Sequence, residues 1–238
     1  MYIITGAKNV QKVFGSPNTL DGNFLQLAIM KPIWALSREE LARFANDKTG
    51  RLKTPAPEAE GTPASERYWF GHTDLYVKYL TPMESSDALA ERFYRLFTKR
   101  LYKEAPADNW ITVQLFDLLK NTMVESATIS LFGSRIIDMN PGFVKCYWEF
   151  DEIAATLIWG LPKWLRPDPY RRHERLLQMT IKHIESAWER FDWDGPEADT
   201  SWDPHFGCRL SRETAKWMRE KGFSNRAAAG HVLSTIFG

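Results

Sequence analysis

Apolar residues recur at helical spacing along most of the chain. In residues 85–104, SSDALAERFYRLFTKRLYKE, one face of a helix carries Leu89, Phe93, Leu96, Phe97 and Leu101. The stretch Asn109–Gly133, NWITVQLFDLLKNTMVESATISLFG, predicts a long apolar helix that ends at a glycine cap. Further helices are predicted over residues 170–193, 211–222 and 225–238. The fold class is therefore mainly α.

Start signals add detail to this helical pattern. Ser37 opens a short helix, with Glu40 at the capping-box position. Asn140 is predicted to cap a helix over residues 140–160, with Pro141 in its first turn. Near the N-terminus, AKNVQKVFG predicts a helix with an apolar stripe, and the preceding YIITG is typical of a short strand. We expect no other β structure.

Two segments interrupt the helices. Residues 47–67, DKTGRLKTPAPEAEGTPASER, combine three prolines, two glycines and mixed charge, which predicts a mobile loop. Residues 194–207 predict a second loop. The segments on either side of the first loop are too small to fold alone, so residues 1–238 are predicted to form one partial domain.

Composition excludes several classes of protein. The 31 basic and 30 acidic residues give a net charge of +1, which argues against a nucleic-acid partner. No window holds the ~18 consecutive apolar residues that span a bilayer, so no transmembrane segment is predicted in this chain. Two cysteines do not indicate a disulfide-rich scaffold. Ten tryptophans are many for this length, and predict either a thick core or surfaces that meet a partner.

The sequence lacks the recognisable motifs of catalysis. Phosphate-binding glycine loops, a G-x-S-x-G elbow and an H-E-x-x-H metal motif are all missing. The five histidines are widely spread and form no i, i+4 pair. Gly142 and Cys146 in GFVKC have the spacing of a haem-thiolate loop, but Met139 and Trp148 occupy positions where that loop has Phe and Gly. We therefore predict no catalytic residue and no metal ligand.

The order of elements resembles the cytochrome P-450 family. YIITGAKNVQKVFGSP is similar to its first strand and B-helix, VKYLTPMESSDALAERFYRLFTKRL to its C-helix region, and residues 109–133 to its D-helix. NPGFVKCYWEFDEIAATLIWGLPKWLRPD resembles the E-helix and the following turn, and NRAAAGHVLSTIFG the first half of the I-helix. The likeness is nearest to fungal members and to the branch with prostacyclin synthase and cholesterol 7α-hydroxylase. It implies the N-terminal half of the fold, truncated within the I-helix.

The resemblance carries functional expectations. Lys78 stands where that branch has a basic residue near a haem propionate, and His72 is a weaker candidate for the same contact. The implied parent is a haem monooxygenase that takes an apolar substrate, O2 and electrons from a reductase. Its full-length eukaryotic relatives are anchored in the endoplasmic reticulum membrane; for this chain, localisation stays open.

The E-x-x-R pair of the family's K-helix and its cysteine loop are missing, and the one E-x-x-R spacing, Glu40 to Arg43, lies in the short helix that Ser37 opens. We therefore expect the chain to lack the thiolate ligand of iron and to be inactive by itself. The alternative is a non-catalytic helical interaction module that binds a partner through exposed tryptophans.

Overall fold

The computed structural model describes residues 5–15, 22–104, 106 and 110–236. These residues contain eleven α-helices: α1 Ala7–Phe14, α2 Asn23–Ile33, α3 Arg38–Asn46, α4 Tyr68–Tyr79, α5 Met83–Glu104, α6 Leu115–Phe132, α7 Arg135–Asp138, α8 Phe143–Ile158, α9 Pro167–Arg190, α10 Arg209–Glu220 and α11 Asn225–Ile236. Two short strands, β1 Trp202–Asp203 and β2 Gly207–Cys208, form an antiparallel pair. The predicted mainly α class is confirmed. Within the described residues, no helix combines the length and apolar character needed to cross a bilayer.

Helix α9 lies at the centre of the main core, where it packs against α8 and α11. Its buried side chains recur every three or four residues and so form one face: Leu176, Leu177, Thr180, His183, Ile184 and Ala187. Burial of each large aliphatic side chain on such a face contributes about 1.5–3 kcal/mol. The 3.6-residue period seen in the sequence thus sets which side of α9 meets the core.

Helix α11 is buried on nearly all sides. Seven consecutive residues, 227–233, are buried, and four of them are alanine or glycine, which lets neighbouring backbones approach closely. A Cβ at Gly230 would lie 2.0 Å from the carbonyl oxygen of Trp34. Only glycine therefore fits where α11 crosses the end of α2.

Several boundaries were predicted correctly because their signals are local. Ser37 and Glu40 form the expected capping box, in which each side chain bonds the other residue's backbone N–H. Gly133 ends α6 with a φ of 86°, a conformation that favours glycine. The five predicted apolar positions of α5 are all half-buried, and α5 packs along α6.

Other boundaries were wrong. Helix α6 begins at Leu115, because Ile111, Thr112 and Val113 are consecutive β-branched residues that disfavour helix; Asn109 lies outside the described residues. Asn140 does not cap α8, which begins at Phe143. Its amide instead donates to the carbonyl of Ile136 at 2.9 Å, so it ends α7.

The second predicted loop contains the two strands. Asp203, in β1, is fully buried and accepts hydrogen bonds from the backbone N–H groups of His205 and Phe206. Its other carboxylate oxygen lies 2.9 Å from the guanidinium of Arg212, which is also fully buried. The turn between β1 and β2 is thus stabilised by the buried Asp203–Arg212 ion pair. The polar and proline-rich pattern of residues 194–207 indicates a loop and does not reveal this strand pair. The YIITG run, predicted as a strand, lies mostly outside the described residues.

Residues 47–67 contain two short 3-10 turns, Pro57–Ala59 and Ala64–Glu66. Both ends of the segment are anchored. Arg67 is buried and donates to Thr49 Oγ1 at 3.1 Å and to the Lys53 carbonyl at 2.8 Å. Asp47 accepts from the backbone N–H of Trp69 at 2.9 Å. The mobility of the residues between these anchors stays a prediction.

Candidate functional site

The end of α2 is the point where four helices meet. His173 of α9 donates from Nε2 to the carbonyl oxygen of Ile33 at 3.0 Å. The next carbonyl, that of Trp34, lies against Gly230 of α11. Trp34 is 5% exposed, and its ring contacts His72 of α4 and His231 of α11. The region thus holds three buried histidines around one tryptophan.

His72 and His231 form a direct pair. Their Nε2 atoms are 3.0 Å apart, so one ring donates a hydrogen bond and the other accepts it. The ring centroids are 5.2 Å apart with an interplanar angle of 73°. The Trp34 ring packs 4.6 Å from His231 and 5.3 Å from His72, which closes one side of the pair.

Burial determines the charge state of this pair. The pKa of His72 is lowered well below its usual value, by burial and then by the proximity of His231 and Arg51. Burial lowers the pKa of His231 to about 4. Both rings are therefore neutral at pH 7, so one Nε2 carries the proton of the shared hydrogen bond and the other accepts it.

The space beside the pair is small. The cavity that touches His231 also touches Tyr76 and Thr235 and has a volume of about 10 Å³. Such a volume holds at most one water molecule. The described residues therefore leave no room for an organic substrate or a macrocycle at this point.

Lys78, the first predicted cofactor contact, lies apart from the histidine pair. Its side chain is 61% exposed, and Nζ lies 2.6 Å from Asp74 Oδ2 one turn earlier on α4. The hydrogen bond that Lys78 donates to Asp74, and then the charge of that carboxylate, raise the pKa of Lys78. The structure thus places Lys78 on the surface of α4 and His72 on its buried side, and it does not bring the two together.

The two predicted contacts differ in how well they fit a haem. A propionate is a carboxylate, and the Lys78 ammonium has three donors of which Asp74 uses one, so a second anionic partner can bind. His72 fits less well than Lys78, because its Nε2 already forms a hydrogen bond with His231 inside the core. The described part of the chain therefore offers a surface donor for a propionate at Lys78.

Both cysteines are buried as free thiols. Cys146 in α8 is 2% exposed and Cys208 in β2 is 8% exposed. Burial raises the pKa of each thiol, and the Cys208 sulfur lies 3.5 Å from Ser211 Oγ. Because the thiolate is the form that binds a metal, neither environment favours ligation.

Sequence reasoning identified His72 but missed its partner. His231 follows 159 residues later, and neither residue stands in a motif. The segment AAAGHVL places His231 among small and apolar residues. This is the one signal that marked His231 as buried and hence in need of a hydrogen-bond partner.

Comparison with known proteins gives curated fungal relatives. All 238 residues align with cytochrome P-450 monooxygenase calL of Penicillium decumbens at 35% identity, and the chain spans 44% of that protein's length. Cytochrome P-450 monooxygenase fsoE of Humicola fuscoatra is 25% identical over 114 residues, which are 48% of this chain and 20% of the relative. Cytochrome P-450 monooxygenase efuG of Hormonema carpetanum is 24% identical over 132 residues, which are 55% of this chain and 23% of the relative.

No protein-family profile matches the chain, and no solved structure does. The alignment with calL leaves no residue of the chain unmatched. Along its whole length the chain is thus similar to a stretch of a cytochrome P-450 monooxygenase that makes up less than half of that protein, as the resemblance of its sequence predicts.

Proposed function

We propose that the chain forms part of a haem-dependent monooxygenase that acts on an apolar organic substrate with O2 and electrons from a reductase. The observation that supports this proposal is the 35% identity to calL over all 238 residues, since calL is named as a cytochrome P-450 monooxygenase. The haem, when bound, supplies the oxygen chemistry, and the protein holds and orients it.

We propose Lys78 as a propionate contact of that haem. Its exposed ammonium already binds one carboxylate, that of Asp74, at 2.6 Å. A propionate at the same ammonium would form a charge-assisted hydrogen bond. His72 is the weaker candidate, because such a contact would require the His72–His231 hydrogen bond to break.

We further propose that this chain provides no axial thiolate and is inactive by itself. The two cysteines are buried, and burial raises the pKa of each thiol, which keeps the sulfur protonated. The cysteine loop that the family carries does not occur among the 238 residues. A thiolate ligand would therefore come from residues outside this sequence.

Haem titration of the purified chain tests these proposals. The Lys78→Ala variant should bind ferric haem several-fold more weakly than the unmodified chain, because the propionate loses its cation. Lys99→Ala, which removes an equally exposed lysine from α5, should bind like the unmodified chain. Equal affinities for all three would contradict the role of Lys78.

The same sample tests the missing thiolate. The reduced, carbon monoxide-bound chain should show no thiolate-type Soret band. A thiolate band that disappears in Cys146→Ser or in Cys208→Ser would identify an axial sulfur in this chain. That result would refute the proposed inactivity.

A helical interaction module remains the second candidate function, because three tryptophans are highly exposed. Trp110 is 104% exposed, Trp159 80% and Trp164 83%. Large exposed aromatic side chains are typical of surfaces that meet another protein. A chain that unfolds cooperatively as a monomer and does not bind haem would favour this candidate over a monooxygenase segment.

A further inference from the structure

A second cavity, which neither histidine of the pair lines, lies between the end of α4, helix α5 and the strand pair. Its volume is about 490 Å³, within the range of small-molecule sites. We call it the arginine cleft, and the residues that define it are Tyr79, Leu89, Arg92, Arg95, Trp202 and Arg209. Its walls are therefore apolar and aromatic side chains interrupted by guanidinium groups.

Arg92 is the central cation of the cleft. Its guanidinium carbon lies 3.8 Å from the centre of the Trp202 ring. Among the described residues no carboxylate forms an ion pair with it. Burial and the neighbouring charge of Arg95 lower its pKa, while Glu91 acts in the opposite direction. Arg92 is thus a half-buried cation that is stacked on an aromatic ring but has no counter-ion.

Arg209 supplies a second unsatisfied donor. Its Nε atom is buried and has no hydrogen-bond partner among the described residues. Its Nη2 atom is 3.4 Å from Asp199, whose side chain is 94% exposed, so this ion pair is weak. The backbone N–H of Arg209 donates to the Ser201 carbonyl at 3.1 Å, which fixes Arg209 beside Trp202. The two arginines therefore flank the same strand pair.

The acidic residues of the cleft do not neutralise Arg92. Glu91 lies 2.5 Å from Arg95 and is paired with it. Asp199 pairs with Arg209. Glu84 also lines the cleft, but it precedes Arg92 by eight residues on α5, which places it about 12 Å away along the helix axis. The end of the cleft near Trp202 is therefore positive.

We propose that the arginine cleft binds a small organic carboxylate with an apolar body. The carboxylate would supply the counter-ion that Arg92 lacks, since guanidinium groups bind carboxylates through paired, charge-assisted hydrogen bonds. The Arg209 guanidinium would add positive charge beside it. The apolar body would lie against Leu89, Tyr79 and the Trp202 ring. This site shares no residue with the proposed haem contact, so the two proposals stand or fall separately.

Calorimetric titration of the chain with 1-naphthoate tests the site. We expect saturable 1:1 binding, with 1-naphthamide, which has the same ring and no charge, at least tenfold weaker. Arg92→Gln should weaken 1-naphthoate binding at least tenfold. Arg92→Lys should recover part of the loss, because charge returns without the paired donors or the planar stacking on Trp202.

Arg100→Gln is the matched control. It removes the same charge from the same helix, but Arg100 is paired with Glu125 and does not line the cleft, so affinity should change less than twofold. Circular dichroism of each variant verifies that the fold is retained. Absent binding, equal affinity for the acid and the amide, or equal losses in Arg92→Gln and Arg100→Gln would each overturn the proposal.

Discussion

Mild acid should destabilise the fold through its buried histidines. Burial lowers the pKa of His183 and of His231 from 6.5 to about 4. In the unfolded chain each ring binds a proton as the pH falls through 6.5, whereas in the folded chain each stays neutral until about pH 4. The unfolded state therefore binds more protons in this window, and stability falls as the pH falls.

The magnitude follows from the two pKa values. Between pH 7.5 and pH 5.0, the difference in proton binding lowers the free energy of unfolding by about 2 kcal/mol for each histidine. His183 and His231 together give about 4 kcal/mol, a large part of the 5–15 kcal/mol typical of a domain. The lowered pKa values of His72 and His173 add to this loss in the same direction. Glu174, whose pKa is lowered to about 2 chiefly by its hydrogen bond with Arg226, loses its contribution only below pH 4.5 and so lies outside this window.

Urea unfolding followed by tryptophan fluorescence at pH 7.5, 6.0 and 5.0 measures this loss. His183→Leu should reduce the difference between the extreme pH values by about 2 kcal/mol, because one titrating group is gone. Thr180→Val alters the same buried face of α9 without an ionisable group, so it should leave the pH dependence unchanged. A free energy of unfolding that is constant between pH 7.5 and pH 5.0 would refute the reasoning.

Two substitutions test close packing and buried charge. Gly230→Ala places a Cβ 2.0 Å from a backbone oxygen and should destabilise the chain by about 1–3 kcal/mol or more through overpacking. The control is Gly22→Ala, where nothing lies within 4 Å of the added Cβ, and it should leave the thermal unfolding midpoint nearly unchanged. Equal midpoints for the two variants would contradict the close approach at Gly230. Asp203→Asn leaves the fully buried Arg212 without its anion and should cost about 3–5 kcal/mol, measurable by urea unfolding; a loss under 1 kcal/mol would show that the pair contributes little.

The structural features that the sequence predicted correctly depend on residues that lie close together in the chain. The Ser37–Glu40 box and the glycine cap at Gly133 each require only a few neighbouring residues, and both occur as expected. The apolar face of α5 follows from spacing alone. The start of α6 was misplaced because its apolar pattern continues through residues 111–113, while the β-branched side chains there disfavour helix.

The sites depend on residues that are distant in sequence. His72 meets His231 across 159 residues, and no periodicity indicates which helices cross at that point. The arginine cleft likewise combines α4, α5 and a strand pair that was predicted as a loop. A residue's type can be seen in the sequence, but its partner depends on packing between elements, which hydrophobic spacing does not specify.

The buried position of α11 has a consequence for biosynthesis. Because this helix contacts α2, α6, α9 and α10, those four cannot close their shared interior until residues 225–236 have left the ribosome. A nascent chain that has reached only α10 would expose the apolar faces that α11 later covers. Chaperone binding during translation should therefore persist until this helix emerges and then decline.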